Sequence, residues 1–474
     1  MTQEPNSNGH EELMTSSTET GASAVTAPIE TLEARPIAHA VPRLSLIGQA
    51  LSPEAALHQG IFSLADQAVA SVTSFLTGII IARACSKEEL GLYMLGFSLV
   101  TLVTDLQTSL ITTPYMVYAP RLSGRAHALY TGSTLIHQSA FCLVTMVVVI
   151  CGAVAVSHGV GPKGLGPVLW VLACVIALIM LRQHARRISF ARLRLKTVFL
   201  FDAFIAVAQI SGLLVLARFG LLSASHAYWV IGSVCGIAVL GWLWSDRRFY
   251  QPKLSESVAD FKKNWVLGRW VFASGLVWAV SMNLYPWLLA AFHGVASTGV
   301  WAACLGVVSF GGPVMAGIQN LAGPKIAHVY AANGYRALHR LVLKITVVVA
   351  IPMSLLCLVM FVWGGRLVVL MYGRQYGGNS LVVAILALNL LAVALGFPFS
   401  RALFAIDRAR VDFVVNFTAL FIMVTLGLWL VRAFGPIGAA FGLLGASLVT
   451  SGVRAGAFLT HPGPTRDGQK ASAK

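Results

Sequence analysis

From Leu57 to Thr460 the chain alternates between apolar runs of about twenty residues and short polar breaks, the spacing of a backbone threaded repeatedly through hydrocarbon. Twelve runs can be drawn, at approximately 60–82, 91–117, 134–157, 166–184, 197–217, 227–244, 268–291, 298–321, 341–363, 380–400, 411–433 and 436–458. A backbone without water must satisfy its own hydrogen bonds, which leaves helices or closed barrels; these runs are too long and too uniformly apolar for barrel strands. The predicted fold class is all-α and polytopic, with about twelve transmembrane helices. Residues 1–56, rich in Ser, Thr, Ala and Glu, read as a disordered tail without a cleavable signal peptide, and 461–474 as a second tail.

Composition agrees with this pattern, since hydrophobic residues make up 57% of the chain and charged residues 11%. That charged fraction is roughly half of what a soluble globular chain carries. The seven cysteines (Cys85, Cys142, Cys151, Cys174, Cys235, Cys304 and Cys357) fall singly in or beside apolar runs and read as packing residues.

Cationic side chains are retained on the cytoplasmic face during insertion, so their distribution tests the twelve-run pattern. Breaks on the N-terminal side hold Arg121, Arg125, Arg182, Arg186, Arg187, Arg192, Arg194, Lys196, Arg247, Arg248, Lys253, Lys262, Lys263, Lys325, Arg336, Arg340, Lys344, Arg401, Arg408 and Arg410. The opposite side holds only Arg83, Lys87, Lys163, Arg218, Arg366, Arg374 and Arg432. Both termini are therefore expected in the cytoplasm. The net charge of +16 follows from this topology and from attraction to anionic headgroups, and calls for no nucleic-acid partner.

An offset of 208 residues lays Gly60 on Gly268 and Gly91 on Gly299, so that "GLYMLGFSLV" meets "GVWAACLGVV" without a gap. Two residues of slippage then bring Pro114 onto Pro324. Six runs separate equivalent positions, so the halves share one orientation about an axis along the membrane normal. The expected organisation is an N-terminal lobe at 57–245, a charged cytoplasmic linker at 246–267 that reads as a hinge, and a C-terminal lobe at 268–460. Duplicated bundles of this kind place a transport site at their interface.

Polar residues concentrate in the first two runs of each half. Ser63, Asp66, Gln67, Ser74 and Thr77 lie in the first; Thr101, Thr104, Asp105, Thr108 and Thr112 in the second; Ser274, Trp278, Ser281, Asn283 and Tyr285 in the seventh; and Ser309, Gln319 and Asn320 in the eighth. Their three-to-four-residue spacing makes one helical face, expected to border a wet cavity, whereas the third and ninth runs are almost wholly apolar and expected to face lipid. The Ser, Thr and Gly positions fit close helix packing equally well. An unpaired carboxylate deep in a bilayer costs at least about 2.5–3.5 kcal/mol. Asp66 and Asp105 therefore either line a cavity or bind a cation, or are protonated or locally paired. Arg269 and Arg401 either snorkel to the cytoplasmic interface or form a cationic entrance for a pyrophosphate, which guanidinium grips bidentately. Asp202, His58, His226 and His293 sit near predicted helix ends and read as structural. Gly311-Gly312-Pro313 predicts a bend in the eighth helix.

No GxxxxGK[ST] loop, nucleotide-binding segment or H-E-x-x-H metal motif occurs, so the reading is of a non-enzymatic protein without cofactor or metal, driven by gradients.

The "SKEELGLY" turn (Ser86 to Tyr93), "GPKIAHVYAANGYRALHRLV" after the eighth run, "MYGRQYGGNS" before the tenth and "FGPIGAAFGLLGAS" leading into the twelfth resemble the polysaccharide-transporter (Wzx-like) branch of the multidrug/oligosaccharidyl-lipid/polysaccharide exporter superfamily. The resemblance covers about 57–460. It implies two six-helix lobes in the bacterial inner membrane that flip undecaprenyl-pyrophosphate-linked repeat units for exopolysaccharide or O-antigen assembly, alongside membrane lipids and polysaccharide polymerase or assembly proteins. Members often have cationic cavities. The clearest mid-helix charges here are acidic, which keeps the proton- or sodium-coupled drug antiporter branch open as the alternative.

Overall fold

The structure, a computed structural model, describes the backbone of residues 53–406 and 408–460 and most of their side chains. The expected tails lie outside the described residues, apart from 53–56, where the first helix has begun. The compact unit that carries the helices starts at Ala55. Among the described residues every regular element is helical: α1 (Pro53–Ala84), α2 (Lys87–Gln107), α3 (Thr113–Tyr118), α4 (Gly124–Ser157), α5 (Leu165–Ala191), α6 (Leu195–Arg218), α7 (Ala224–Asp246), α8 (Leu254–His293), α9 (Val295–Val308), α10 (Gly311–Tyr372), α11 (Ser380–Ala405) and α12 (Ala409–Leu459).

Ten helical segments among the described residues are long and apolar enough to cross a membrane, and the chain is a multi-pass membrane protein. The difference from twelve predicted runs has a local cause. Helix α10 runs 62 residues, or about 93 Å at 1.5 Å per residue, roughly three times the thickness of a hydrocarbon core. It is broken at Gly334 (φ 72°, ψ −171°), and α12 is broken at Gly435 (φ 56°, ψ −131°), just before Pro436. Only glycine takes such angles without a Cβ clash, and each break falls between two predicted runs. The predicted eighth run is divided instead: α9 stops at Val308, Ser309 and Phe310 form a turn, and α10 begins at Gly311, where the sequence predicts the bend.

Other boundaries differ as well. Helix α8 starts at Leu254 rather than at 268, so most of the predicted linker is helix, and α5 continues to Ala191, past the end of its predicted run. Polar residues outside hydrocarbon can keep helical backbone, so hydropathy marks the lipid-spanning part and not the helix end. A five-residue π-turn, Thr108–Thr112, joins α2 to α3. Pro114, which has no N–H to give to the turn before it, follows two residues later.

Apolar faces point outward as hydrocarbon permits. Leu143, Val144, Val147 and Val148 on α4, and Val347, Val348, Ile351 and Leu355 on α10, are exposed, as expected for the third and ninth runs. Inside, one continuous cluster joins Ile81, Leu95, Leu172, Leu289, Trp301 and Tyr372 from both sequence halves. Where α2 crosses α9, a Cβ on Gly91 would fall on the carbonyl oxygen of Val295, and a Cβ on Gly299 on that of Lys87. These two contacts are related by the same offset of 208 that aligns the halves. Lipid gives helices no hydrophobic drive to associate, so close backbone approach at small residues carries the packing.

Substituting Val at Gly91 or Gly299 is expected to wedge this crossing apart and destabilise the protein by at least about 1–3 kcal/mol. The thermal unfolding midpoint in detergent, with Gly241→Val at an uncrowded position as control, checks this.

Candidate functional site

A cavity of about 590 Å³ lies between α1 and α2 on one side and α9 and the start of α10 on the other. Gln67, Ser71 and Ser74 of α1 and Ser309 supply hydrogen-bonding groups, and Phe75, Tyr93, Phe97, Phe310 and Tyr372 supply rings. None of its described lining residues is charged. Gln67, Ser74, Phe97, Ser309 and Phe310 are exposed, so the cavity is open. The seventh run, α8, contributes no lining residue among those described, so the wet face predicted for it is not part of this cavity.

Its closed end is built from contacts between the sequence halves. Phe75 packs edge-on against Phe310 and Tyr372, ring centroids 4.7 and 6.4 Å apart. Beyond them Arg83, at the end of α1, donates from Nε to the Met371 carbonyl at 2.7 Å and from Nη2 to the Leu370 carbonyl, caps for the last turn of α10. Gln375 reciprocates, its Nε2 donating to the carbonyls of Ala82 at 2.8 Å and Cys85 at 3.2 Å. Helix ends leave carbonyls without partners, and here each half satisfies those of the other.

Asp66 points away from this cavity. Its carboxylate is buried and paired with Arg186 Nη2, while Arg186 Nε donates to Asp202 Oδ2 at 2.5 Å and Arg182 Nη2 to Asp202 Oδ1 at 2.8 Å. Arg182 and Arg186, one turn apart on α5, thus hold a carboxylate from α1 and one from α6 in a neutral group of four. Nearby Gln209 Nε2 of α6 donates to Thr77 Oγ1 of α1 at 2.8 Å, and the Phe62 and Phe199 ring centroids are 5.8 Å apart, so α1 touches α6 at two further points. Arg182 and Arg186 were missed as partners because charge counting assigns them to a cytoplasmic break. Their i, i+4 spacing, with Asp202 standing in the next apolar run, was the available signal.

The remaining candidates are dispersed. Gln67 lines the cavity. Asp105 is half-buried on α2, without an ion-pair partner within 4.0 Å among the described residues. Asn283 is buried and turns back to its own helix, Nδ2 donating to the Ala279 carbonyl at 2.8 Å. Gln319 is half-buried, and the side chain of Asn320 lies outside the described residues. Arg269 and Arg401 are exposed on α8 and α11, Arg401 with its guanidinium 5.3 Å from the Phe397 ring centroid. Among the described residues no cluster of His, Cys, Asp and Glu could hold a metal ion.

A family profile described as "Polysaccharide biosynthesis protein" matches residues 125–380. The capsular polysaccharide biosynthesis protein CapF of Staphylococcus aureus is 22% identical over 222 residues, which are 46% of this chain and 56% of that protein. The chain thus matches little more than half the length of that relative. Among solved structures, the lipid II flippase MurJ in an inward closed conformation superposes with a TM-score of 0.65 at 13% identity, over 85% of this chain and 88% of that one. An inward-facing multidrug resistance MATE family transporter of the MOP superfamily gives 0.66 at 15%, over 85% and 96%. These likenesses establish the fold.

Asp66→Asn should leave Arg186 holding Asp202 alone, at a cost of about 3 kcal/mol, the low end for breaking a buried pair. In a double-mutant cycle with Arg186→Gln, read by thermal unfolding, the combined loss is expected to fall below the sum of the single losses; strict additivity would mean the pair does not form.

Proposed function

The chain belongs to the polysaccharide biosynthesis protein family, and on that premise we propose that it flips undecaprenyl-pyrophosphate-linked oligosaccharide repeat units across the bacterial inner membrane. The single observation that carries the reading is the character of the cavity between α1, α2, α9 and α10. Its hydroxyl, amide and ring groups suit sugars, which offer hydroxyls at their edges and C–H faces to aromatic rings, while the carboxylates nearest to it on α1 and α6 are occupied by arginines.

In this reading α10 and α12 each cross twice, divided at Gly334 and Gly435, and α9 with the first part of α10 crosses once, giving twelve crossings with both termini in the cytoplasm. The glycan enters sideways from the inner leaflet while the lipid tail stays in the bilayer. Gln67, Ser71, Ser74 and Ser309 hold the sugars, and Arg269 and Arg401 meet the pyrophosphate at the entrance. Transfer requires the closed end to part, which breaks the caps made by Arg83 and Gln375. Moving an anion outward runs with an inside-negative potential and gains about 2.3 kcal/mol per charge per 100 mV, so no nucleotide is needed. A polysaccharide polymerase takes up the delivered units.

One observation favours the antiporter alternative. Asp105, half-buried with no ion pair among the described residues, is suited to exchanging a proton or sodium ion for a cationic compound.

A deletion strain is expected to lose surface polysaccharide and accumulate lipid-linked repeat units in its inner leaflet. Wild-type protein and Asp105→Asn should restore export, whereas Ser74→Trp, which fills the cavity, should not, at equal protein abundance by immunoblot. Drug hypersensitivity with normal polysaccharide would overturn the reading in favour of the antiporter.

A further inference from the structure

Where the ends of α5 and α7 meet, hydrogen-bond donors collect without acceptors. The chain turns from α5 into α6 through Leu193, whose φ of 56° is a left-handed conformation that glycine usually fills. The turn brings two guanidinium groups to one carboxylate: Arg192 Nη1 donates to Asp246 Oδ2 at 2.8 Å, and Arg194 Nη1 to Asp246 Oδ1 at 2.9 Å. Both oxygens of Asp246 are thereby used, and the group keeps a surplus positive charge.

The other edge of Arg192 is left over. Its Nε and Nη2, the side-on fork of the guanidinium, are buried and have no acceptor among the described residues, and neither has Trp242 Nε1 or the Tyr250 hydroxyl. These groups are neighbours. The Arg192 guanidinium lies 4.7 Å from the Phe249 ring centroid and 5.7 Å from that of Tyr250, and the Trp242 and Tyr250 rings meet edge-on at 5.4 Å. Stacking on rings engages the flat face of a guanidinium and leaves its in-plane N–H groups free. The Arg192 side chain is only 10% exposed, so bulk water does not serve them. A buried donor without an acceptor is costly, more so when charged, and native proteins resolve such groups with an ordered water or ion.

We propose that this cluster is a binding site for a phosphate group, gripped by the Arg192 fork, with the Tyr250 hydroxyl and the Trp242 indole donating to its remaining oxygens. Every unpartnered group here can donate and the local charge is positive, so the missing partner is an anion. A carboxylate has two oxygens, which the fork alone takes up, whereas phosphate keeps others for hydroxyl and indole. Phe249 and Tyr250 form the cover. They follow α7 on the turn Arg247–Phe249, Phe249 is 40% exposed, and both shift outward to admit the group. The next residue, Gln251, donates its backbone N–H to the Ala128 carbonyl of α4 at 3.2 Å. A bound phosphate therefore joins the ends of α5 and α7 to the start of the connection between the sequence halves. The site shares no residue with the cavity, so it stands or falls apart from the transport reading.

The phosphate comes either from the inorganic ion or from a phospholipid headgroup, and one experiment separates the two. Thermal unfolding of the full chain in phosphate-free maltoside detergent is followed while inorganic phosphate replaces chloride at constant ionic strength, and separately while phosphatidylglycerol is added. A saturable rise of the midpoint with inorganic phosphate assigns the free ion; a rise with phosphatidylglycerol alone assigns the headgroup. In either case Tyr250→Phe, which keeps the ring, should raise the half-saturating concentration about tenfold, and Arg192→Lys, which keeps the charge and loses the fork, by about tenfold or more. If Arg192→Lys does not fold, Tyr250→Phe decides alone. Half-saturation unchanged by the substitutions overturns the proposal. So does a midpoint that neither additive raises, because water alone would then serve the donors.

Discussion

Helices in hydrocarbon gain nothing by hiding apolar surface from lipid, so what holds the sequence halves together must be found in backbone approach and hydrogen bonding. Gly91 lets α2 close on the Val295 carbonyl, and Gly299 lets α9 close on the Lys87 carbonyl. Arg83 and Gln375 then exchange helix-end caps across the same region, and Trp287 Nε1 of α8 reaches Ser98 Oγ of α2 at 2.8 Å. Everything else in the fold is arranged around this join. It closes one end of the cavity and leaves the other end open.

Charge obeys the same solvent. Two buried carboxylates on separate helices would be untenable alone, and α5 brings Arg182 and Arg186 to them from its last turns. The group of four ties α1 to α5 and α6. The cavity wall from α9 and α10 meets the one from α1 and α2 through the glycine crossing and the rings of Phe75, Phe310 and Tyr372.

Much of the fold is legible in the sequence because hydropathy reports the solvent directly. The runs, the bend before Gly311-Gly312-Pro313, the lipid-facing third and ninth helices and the repeat offset are all visible as residue patterns. Helix ends are not, since Leu254 to Asn264 is polar enough to read as linker yet remains helical. The site is less legible still. Gln67 is found at the cavity, but Asp66, its neighbour by one residue, turns a hundred degrees away on the helix to the arginines. Sequence shows that a carboxylate needs a partner without showing where one stands, and charge counting had already given Arg186 another role. Nor does spacing distinguish a residue that faces a cavity from one, such as Asn283, that bonds to its own preceding turn.

The paired glycine crossing has a consequence for assembly. A contact in which each partner gives what it receives is the isologous geometry by which two identical units associate. Joining both units in one chain holds them at a fixed effective concentration, so the seam need not be strong to form. Affinity that two separate subunits would have to build into their interface is here supplied by covalent connection, which leaves the interface free to be weak.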